Sequence, residues 1–396
     1  MKRILLLSLV ALFAFQVQAT EQEEAKGYQF TDQISIEHTS VKNQYRSGTC
    51  WSFSGLAFFE AELIREKKGT MDLSEMFVVW HSYLDKAKKY VRMHGTMNFG
   101  GGGAFNDIMD VIREYGMVTE EAYSGIQYEE TNHVHGEMDH LLKSMVDAII
   151  KNKNKKLTTV WSKAVQGVLN AYLGVIPEKF KHNDVDYTPK TFAKDAMGLD
   201  MDDYLMMTSF DHHDWYKPFV LEVQDNWAWG NVYNVHLNEM METIDYALAE
   251  GYTIAWASDV SEKGFSWSKG VAVVPDEKVE ILDGMERDKW EQMSEREKTA
   301  AVYKQDGPVK EKEITQDVRQ DAFDNYETTD DHGMLIVGTA VDQKGNKYYK
   351  IKNSWGTDQK YDGYFYASHA FVAYKTMSIL IHKNSVPKKI KKELDL

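Results

Sequence analysis

The sequence predicts an α+β fold of two lobes with a large helical insertion. Three observations carry this. Apolar residues at helical spacing fill the first half of the chain, strand-like runs dominate the second, and a lone cysteine, Cys50, opens the first strongly helical segment. At 396 residues the chain exceeds the roughly 250 to 300 residues at which single cores stop growing, so two lobes, or one core with an insertion, are expected.

Residues 1–19 have the pattern of a secretory leader: Lys2 and Arg3, an apolar run from Ile4 to Phe15, and the small-residue cleavage pattern Val17-Gln18-Ala19. Neither that run nor any later segment reaches the roughly 20 apolar residues of a spanning helix. The expectation is an exported protein, periplasmic or extracellular, with no stable membrane anchor. Residues 20–40, acidic from Glu21 to Glu24, form an N-terminal arm. Residues 41–127 form the N-terminal helical lobe. Phe53, Leu56, Ala57, Phe59, Leu63 and Ile64 predict a helix from Cys50 to Lys67, closed by Lys67-Lys68-Gly69. A second helix is predicted after Asp72-Leu73-Ser74-Glu75 through Tyr83 toward Tyr90. Gly100 to Gly103 break the chain, and Phe105 to Tyr115 resume helical spacing.

Residues 128–225 form the helical insertion, patterned by Leu141, Met145, Ala148 and Ile149 and then by Val160 to Leu173. Residues 226–382 form the β-rich lobe. Strands are predicted in Thr253–Ala257, Val271–Val274, Met334–Ala340, Lys347–Ile351 and Tyr364–Tyr366, with a charged surface excursion between Asp276 and Gln320. Residues 383–396 form a short charged tail.

The net charge of −15 disfavours nucleic acid or anionic membrane as a partner, and loss of Lys2 and Arg3 with the leader would deepen it. One cysteine excludes an internal disulfide, so a packed core must hold the fold.

The residues of chemical interest are far apart in sequence. Gln44 precedes Cys50 by six positions; Asp331-His332-Gly333 opens an apolar run; Asn353-Ser354-Trp355-Gly356 follows 21 residues after the histidine. Thiol, imidazole and orienting amide in one chain point to cysteine-dependent acyl transfer. A helix N-terminus and a nearby imidazolium favour the Cys50 thiolate. The Cys50 N–H and the Gln44 amide would hold the oxyanion, and losing one such donor costs roughly 10²- to 10³-fold in rate. His332 would act as base and then acid, with Asn353 fixing its ring. Trp51 and Trp355 are supporting residues, and Gly101, Gly102, Gly103 and Asp331 are expected at the substrate. His133, His135, His212 and His213 lack a full metal-ligand pattern and are expected on surface loops, so no metal and no cofactor is assigned.

These strings resemble the papain-like cysteine peptidases, and within them the bleomycin hydrolase or aminopeptidase C branch. Asn43-Gln44, Ser47-Gly48 and Cys50-Trp51 carry the nucleophile motif. Further matches are Tyr172-Leu173-Gly174, Pro177 to Phe180, Tyr187 to Lys190 with Phe192, and Tyr233-Asn234-Val235, so the likeness spans about Val41 to Pro387. The resemblance implies a papain-like two-lobe fold with helical additions and a peptide substrate. It further implies aminopeptidase activity restricted by a C-terminal arm in the cleft, and a homo-hexamer. About two dozen residues between Ala19 and Gln44 leave no room for the long inhibitory pro-segment of secreted papain-type enzymes. Two departures stand out: Gly333 replaces the branch's alanine, and only nine residues follow Pro387. So short an arm is expected to fall short of the cleft, which makes an unrestricted endopeptidase the alternative. A non-catalytic peptide-binding protein is the reading of a different class.

Overall fold

The computed structural model describes residues 27–153, 156–276 and 306–396, with isolated positions between 294 and 304. The leader, the start of the arm and most of the excursion after Asp276 lie outside the described residues.

Strand β1 (Phe30–Ser35) precedes the helices α1 (Cys50–Arg65), α2 (Glu75–Arg92) and α3 (Phe105–Tyr115). The insertion adds α4 (Gly136–Ile150), α5 (Trp161–Leu173) and a hairpin of β2 (Phe180–His182) and β3 (Val185–Tyr187). Then come β4 (Tyr204–Thr208), β5 (Pro218–Val220), β6 (Asn231–Asn234), α6 (Leu237–Ala249), β7 (Ile254–Ser258), β8 (Phe265–Ser266) and β9 (Val271–Ala272). The chain closes with α7 (Gln316–Asp324), β10 (His332–Asp342), β11 (Lys347–Lys352), β12 (Tyr364–Ser368), α8 (His369–Lys375), β13 (Thr376–His382) and α9 (Lys388–Glu393).

Among the described residues, eleven strands make one sheet in the order β5-β6-β4-β13-β7-β10-β11-β12-β9-β8, with β1 added beside β10. Strand β10 organises it. One edge pairs with β7 over His332–Ile336 and then with β1 over Gly338–Asp342, while the other pairs with β11 over Leu335–Val341. Its side chains alternate between two cores, as the period of a strand requires. Leu335 and Val337 join the cluster built by α1, α2 and α3, whereas Met334 and Ile336 join the one built by α6, α8 and α9. Helix α1 is buried from Trp51 to Leu63, so it is a central helix wrapped on nearly all sides.

Three expectations need correction. The helical insertion does not extend to 225, because β4 and β5 within it belong to the large sheet. Strand β4 reads Tyr-Leu-Met-Met-Thr and is buried on both faces, so it lacks the alternation that announces a half-buried strand. The tail is also more than a charged end. It folds as α9, with Ile390 and Leu394 buried beside Leu237 and Val386. The last part of the excursion, expected at the surface, supplies α7, whose buried Arg319 donates to the carbonyls of Ser209, Ala373, Tyr374 and Thr376.

Candidate active site

Cys50 is the first residue of α1. Its approach is tight: a Cβ on Gly48 would stand 3.3 Å from Gly101 Cα, so the nucleophile loop and the glycine-rich loop meet backbone to backbone. Gln44 is buried at the start of this loop. Its N–H donates to Ser354 O at 2.8 Å, its Oε1 accepts from Ser354 Oγ at 2.7 Å, and its Nε2 donates to Ser47 O at 2.9 Å. These bonds fix which way the amide faces, and Nε2 carries a second hydrogen besides the one on Ser47.

His332 begins β10 and Asn353 directly follows β11, two neighbouring strands. The imidazole Nε2 lies 2.7 Å from Asn353 Oδ1. Because that oxygen also accepts the Ser354 N–H at 2.8 Å, it acts as the acceptor and Nε2 carries the proton. Nδ1 is then the nitrogen with a free lone pair. The Trp355 ring stacks on the imidazole, with centroids 4.6 Å apart and planes 29° apart, and Trp267 packs edge-on behind it.

Cys50 and His332 line the same cleft, of about 530 Å³ including its open mouth. Burial acts on both. It pushes the thiol up to about 12, opposed by the N–H groups of Gly333 and Trp51 and reinforced by the charges of Asp225 and Asp330. It pushes the imidazole down to about 4, opposed by the bond to Asn353. Desolvation therefore weighs against either charge formed alone. A proton passed from sulfur to ring creates both charges together and needs no net charge in the cleft.

The remaining expected residues divide. Gly103 lines the cleft. The Gly101 carbonyl instead accepts the Trp51 Nε1 proton at 2.9 Å. The Gly102 carbonyl accepts the buried Lys86 ammonium, and a Cβ on Gly102 would strike Asp225 Oδ2 at 2.1 Å. Asp331 lines the cleft, but its carboxylate accepts the N–H groups of Val260 and Ser261 at 2.9 and 3.0 Å. Gln44 lies outside the residues that line the cleft. Sequence reasoning missed Asp225, Asp330 and an apolar wall that includes Met206, Leu221, Val232 and Met377. The doubled acid before His332 was the one available signal.

The other histidines also depart from expectation. His133 and His135 are buried rather than in surface loops, and the backbone beside them pairs with Arg46 in the nucleophile loop. His212, His213 and Glu222 place their ligating atoms within 4.8 Å of one another. The Gln320 amide accepts from Asp211 N–H and donates to His212 Nδ1 at 3.0 Å, so the proton sits on Nε2 and points at Glu222. That tautomer suits a hydrogen-bonded cluster and not a metal ligand.

The chain is similar to known proteins. The papain family cysteine protease model matches residues 29–199, and the peptidase C1-like family model matches residues 291–396. Aminopeptidase C of Lactobacillus delbrueckii subsp. lactis is 23% identical over 411 residues, covering 92% of this chain and 84% of its own. Aminopeptidase C of Listeria innocua is 24% identical over 402 residues, covering 89% and 82%. The crystal structure of PepW from Lactobacillus rhamnosis HN001 matches with a TM-score of 0.67 at 18% identity, over 92% of this chain and 84% of that one, which shows a shared fold. With that fold, the two family models and a likeness over about nine-tenths of its length, the chain is similar to the papain-like cysteine peptidases and, among them, to its aminopeptidase C relatives.

Proposed function

We propose that this protein is a cysteine aminopeptidase that hydrolyses peptide bonds through a thioester on Cys50. The observation that carries the reading is the open end of the β10–β11 hairpin, which holds His332 Nε2 2.7 Å from Asn353 Oδ1 while His332 and Cys50 share one cleft. His332 Nδ1 takes the thiol proton, and the sulfur attacks the scissile carbonyl carbon. The electron pair of the C=O bond moves to oxygen, where the Cys50 N–H and Gln44 Nε2 receive it. His332 returns its proton to the leaving amine as the C–N bond breaks. Water, deprotonated by the same ring, then releases the acid and restores the thiol. Trp355 shields the bond between His332 and Asn353 from solvent throughout.

Removal of amino-terminal residues follows from the names of the curated relatives, which include aminopeptidases C, E, G and W. Endopeptidase action is the second reading. It is favoured by the burial of Ile390 of α9 in the core cluster that also holds Leu237 of α6, since the residues lining the cleft come from elsewhere. Iodoacetamide should label the protein once and Cys50→Ala should not be labelled; labelling that survives refutes the nucleophile. Peptides with a free amino terminus should be cleaved and their acetylated counterparts spared. Equal rates for the two would replace the aminopeptidase by an endopeptidase. Export rests on the leader pattern of residues 1–19, and sequencing from Thr20 of the mature chain would test it. The homo-hexamer rests on the resemblance, and a monomeric peak on a sizing column contradicts it.

A further inference from the structure

The cleft carries more negative charge than hydrolysis uses. Asp225, Asp330 and Asp331 all line it beside Cys50 and His332. Asp331 is held by the N–H groups of Val260 and Ser261. Asp225 accepts from Asn98 Nδ2 at 3.4 Å and lies in the field of the buried Lys86 ammonium. Asp259, close behind, accepts the N–H groups of Thr329 and Ser261. Asp330 differs from all three. It has no hydrogen-bond donor among the described residues, and its carboxyl is crowded by protein and by Asp225, Asp331 and Asp259, which with burial push it up to about 7. Asp330 is half-buried, and an unpaired carboxylate so placed beside a nucleophile is costly unless something else supplies the opposite charge. Much of the remaining wall is apolar: Phe105, Met206, Leu221, Val232 and Met377 line it and are all buried, beside Asn106, Asn226 and Ser378. Such a wall suits methylene groups leading to a charged head.

Resting on the cysteine-peptidase reading, we propose that Asp330, assisted by Asp225, receives a cationic group of the substrate carried on an apolar stem, and so selects positively charged peptides. Two sources supply that chemistry: the α-ammonium of a free amino terminus, and a lysine or arginine side chain. The same contact reaches the nucleophile. Asp225 and Asp330 both oppose the Cys50 thiolate, so a bound cation would offset their field and ease proton transfer to His332.

The test uses the full chain and fluorogenic peptides bearing lysine, norleucine or glutamate at either of the two positions before the cleaved bond, each with a free or acetylated amino terminus. The wild type should prefer a cation over its neutral counterpart by roughly 10- to 100-fold in kcat/KM, the range of a charge-assisted hydrogen bond. Loss on acetylation assigns the α-ammonium; loss on changing lysine to norleucine assigns the side chain. Asp330→Asn should shrink the preference to about threefold or less, cleave neutral peptides at least as fast as the wild type, and speed alkylation of Cys50 by neutral iodoacetamide at pH 7. Opposite signs in those readouts separate a local charge effect from misfolding, which slows both. If Asp330→Asn does not fold, Asp330→Ser and the wild-type preference decide the matter. Indifference of the wild type to charge in every arm overturns the proposal, as does an equal loss for charged and neutral peptides. Failure of the underlying reading looks different: no peptide is cleaved in any arm and Cys50 resists alkylation.

Discussion

At Gly333 the strand that carries the imidazole comes down on the helix that carries the thiol. A Cβ there would stand 2.7 Å from Ser54 Oγ and 3.1 Å from Trp51 Cα, while the Gly333 N–H faces the Cys50 sulfur. Gly333→Ala is therefore expected to cost about 1–3 kcal/mol through overpacking. Ser54→Ala removes the nearer obstacle and should recover part of the loss. Thermal melts of both single variants and the double decide this, and strict additivity would remove the contact from the explanation. Gln44→Ala should lower kcat by roughly 10²- to 10³-fold with little change in KM, because the amide is asked to act only once negative charge develops on oxygen. Single-turnover labelling of Cys50 by iodoacetamide, which makes no oxyanion, should be unaffected. Gln44, Cys50, His332 and Asn353 were legible as candidates because their residue types and order are chemically restrictive. The isolation of Asp330 was not. It depends on donors from Asn98, Val260, Ser261 and Thr329 turning to other carboxylates, which no spacing encodes.

Elements with a strong period were the easiest to read. Helix α3 was predicted at its observed bounds by its helical spacing, and β7, β10, β11 and β12 lie where runs rich in β-branched and aromatic residues stand out against their neighbours. Strands β4 and β13, buried at every position, carry little such contrast. The segment around His133 and His135 shows a further limit. Its N–H and C=O groups pair with Arg46 in the nucleophile loop, and burial holds the two imidazoles near 4 and 3. Between the unfolded value near 6.5 and the folded value, the unfolded chain binds a proton that the folded chain refuses. Stability tied to these histidines is thus full above about pH 6.5 and falls as the solution is acidified toward pH 3 to 4. His135→Phe should flatten the acid side of the melting curve, saving about 1–3 kcal/mol at pH 4 relative to the wild type. Parallel curves for the two proteins would show that His135 does not titrate in this way.

For the molecule as a whole, the sequence supplied two lobes and an insertion but not how they interlock. Strand β1, from the N-terminal arm, pairs with β10, and β4 and β5, from the expected insertion, extend the same sheet past β13. Residues 27–225 and 226–396 expressed apart should each aggregate, because the cut leaves sheet edges open and halves of both cores exposed. Soluble, folded halves would contradict the shared sheet. Contacts between residues some 300 positions apart, such as Phe30 with Asp342, also make slow folding the expectation, measurable as refolding over milliseconds to seconds or longer. The clasp of β1 gives the chain a mechanical polarity. A machine pulling this protein in from its amino-terminal side would grip β1 early, and peeling that ribbon away bares one end of the strand whose other end holds the imidazole. Such traction would disarm the enzyme before it unravelled the helix that bears the sulfur.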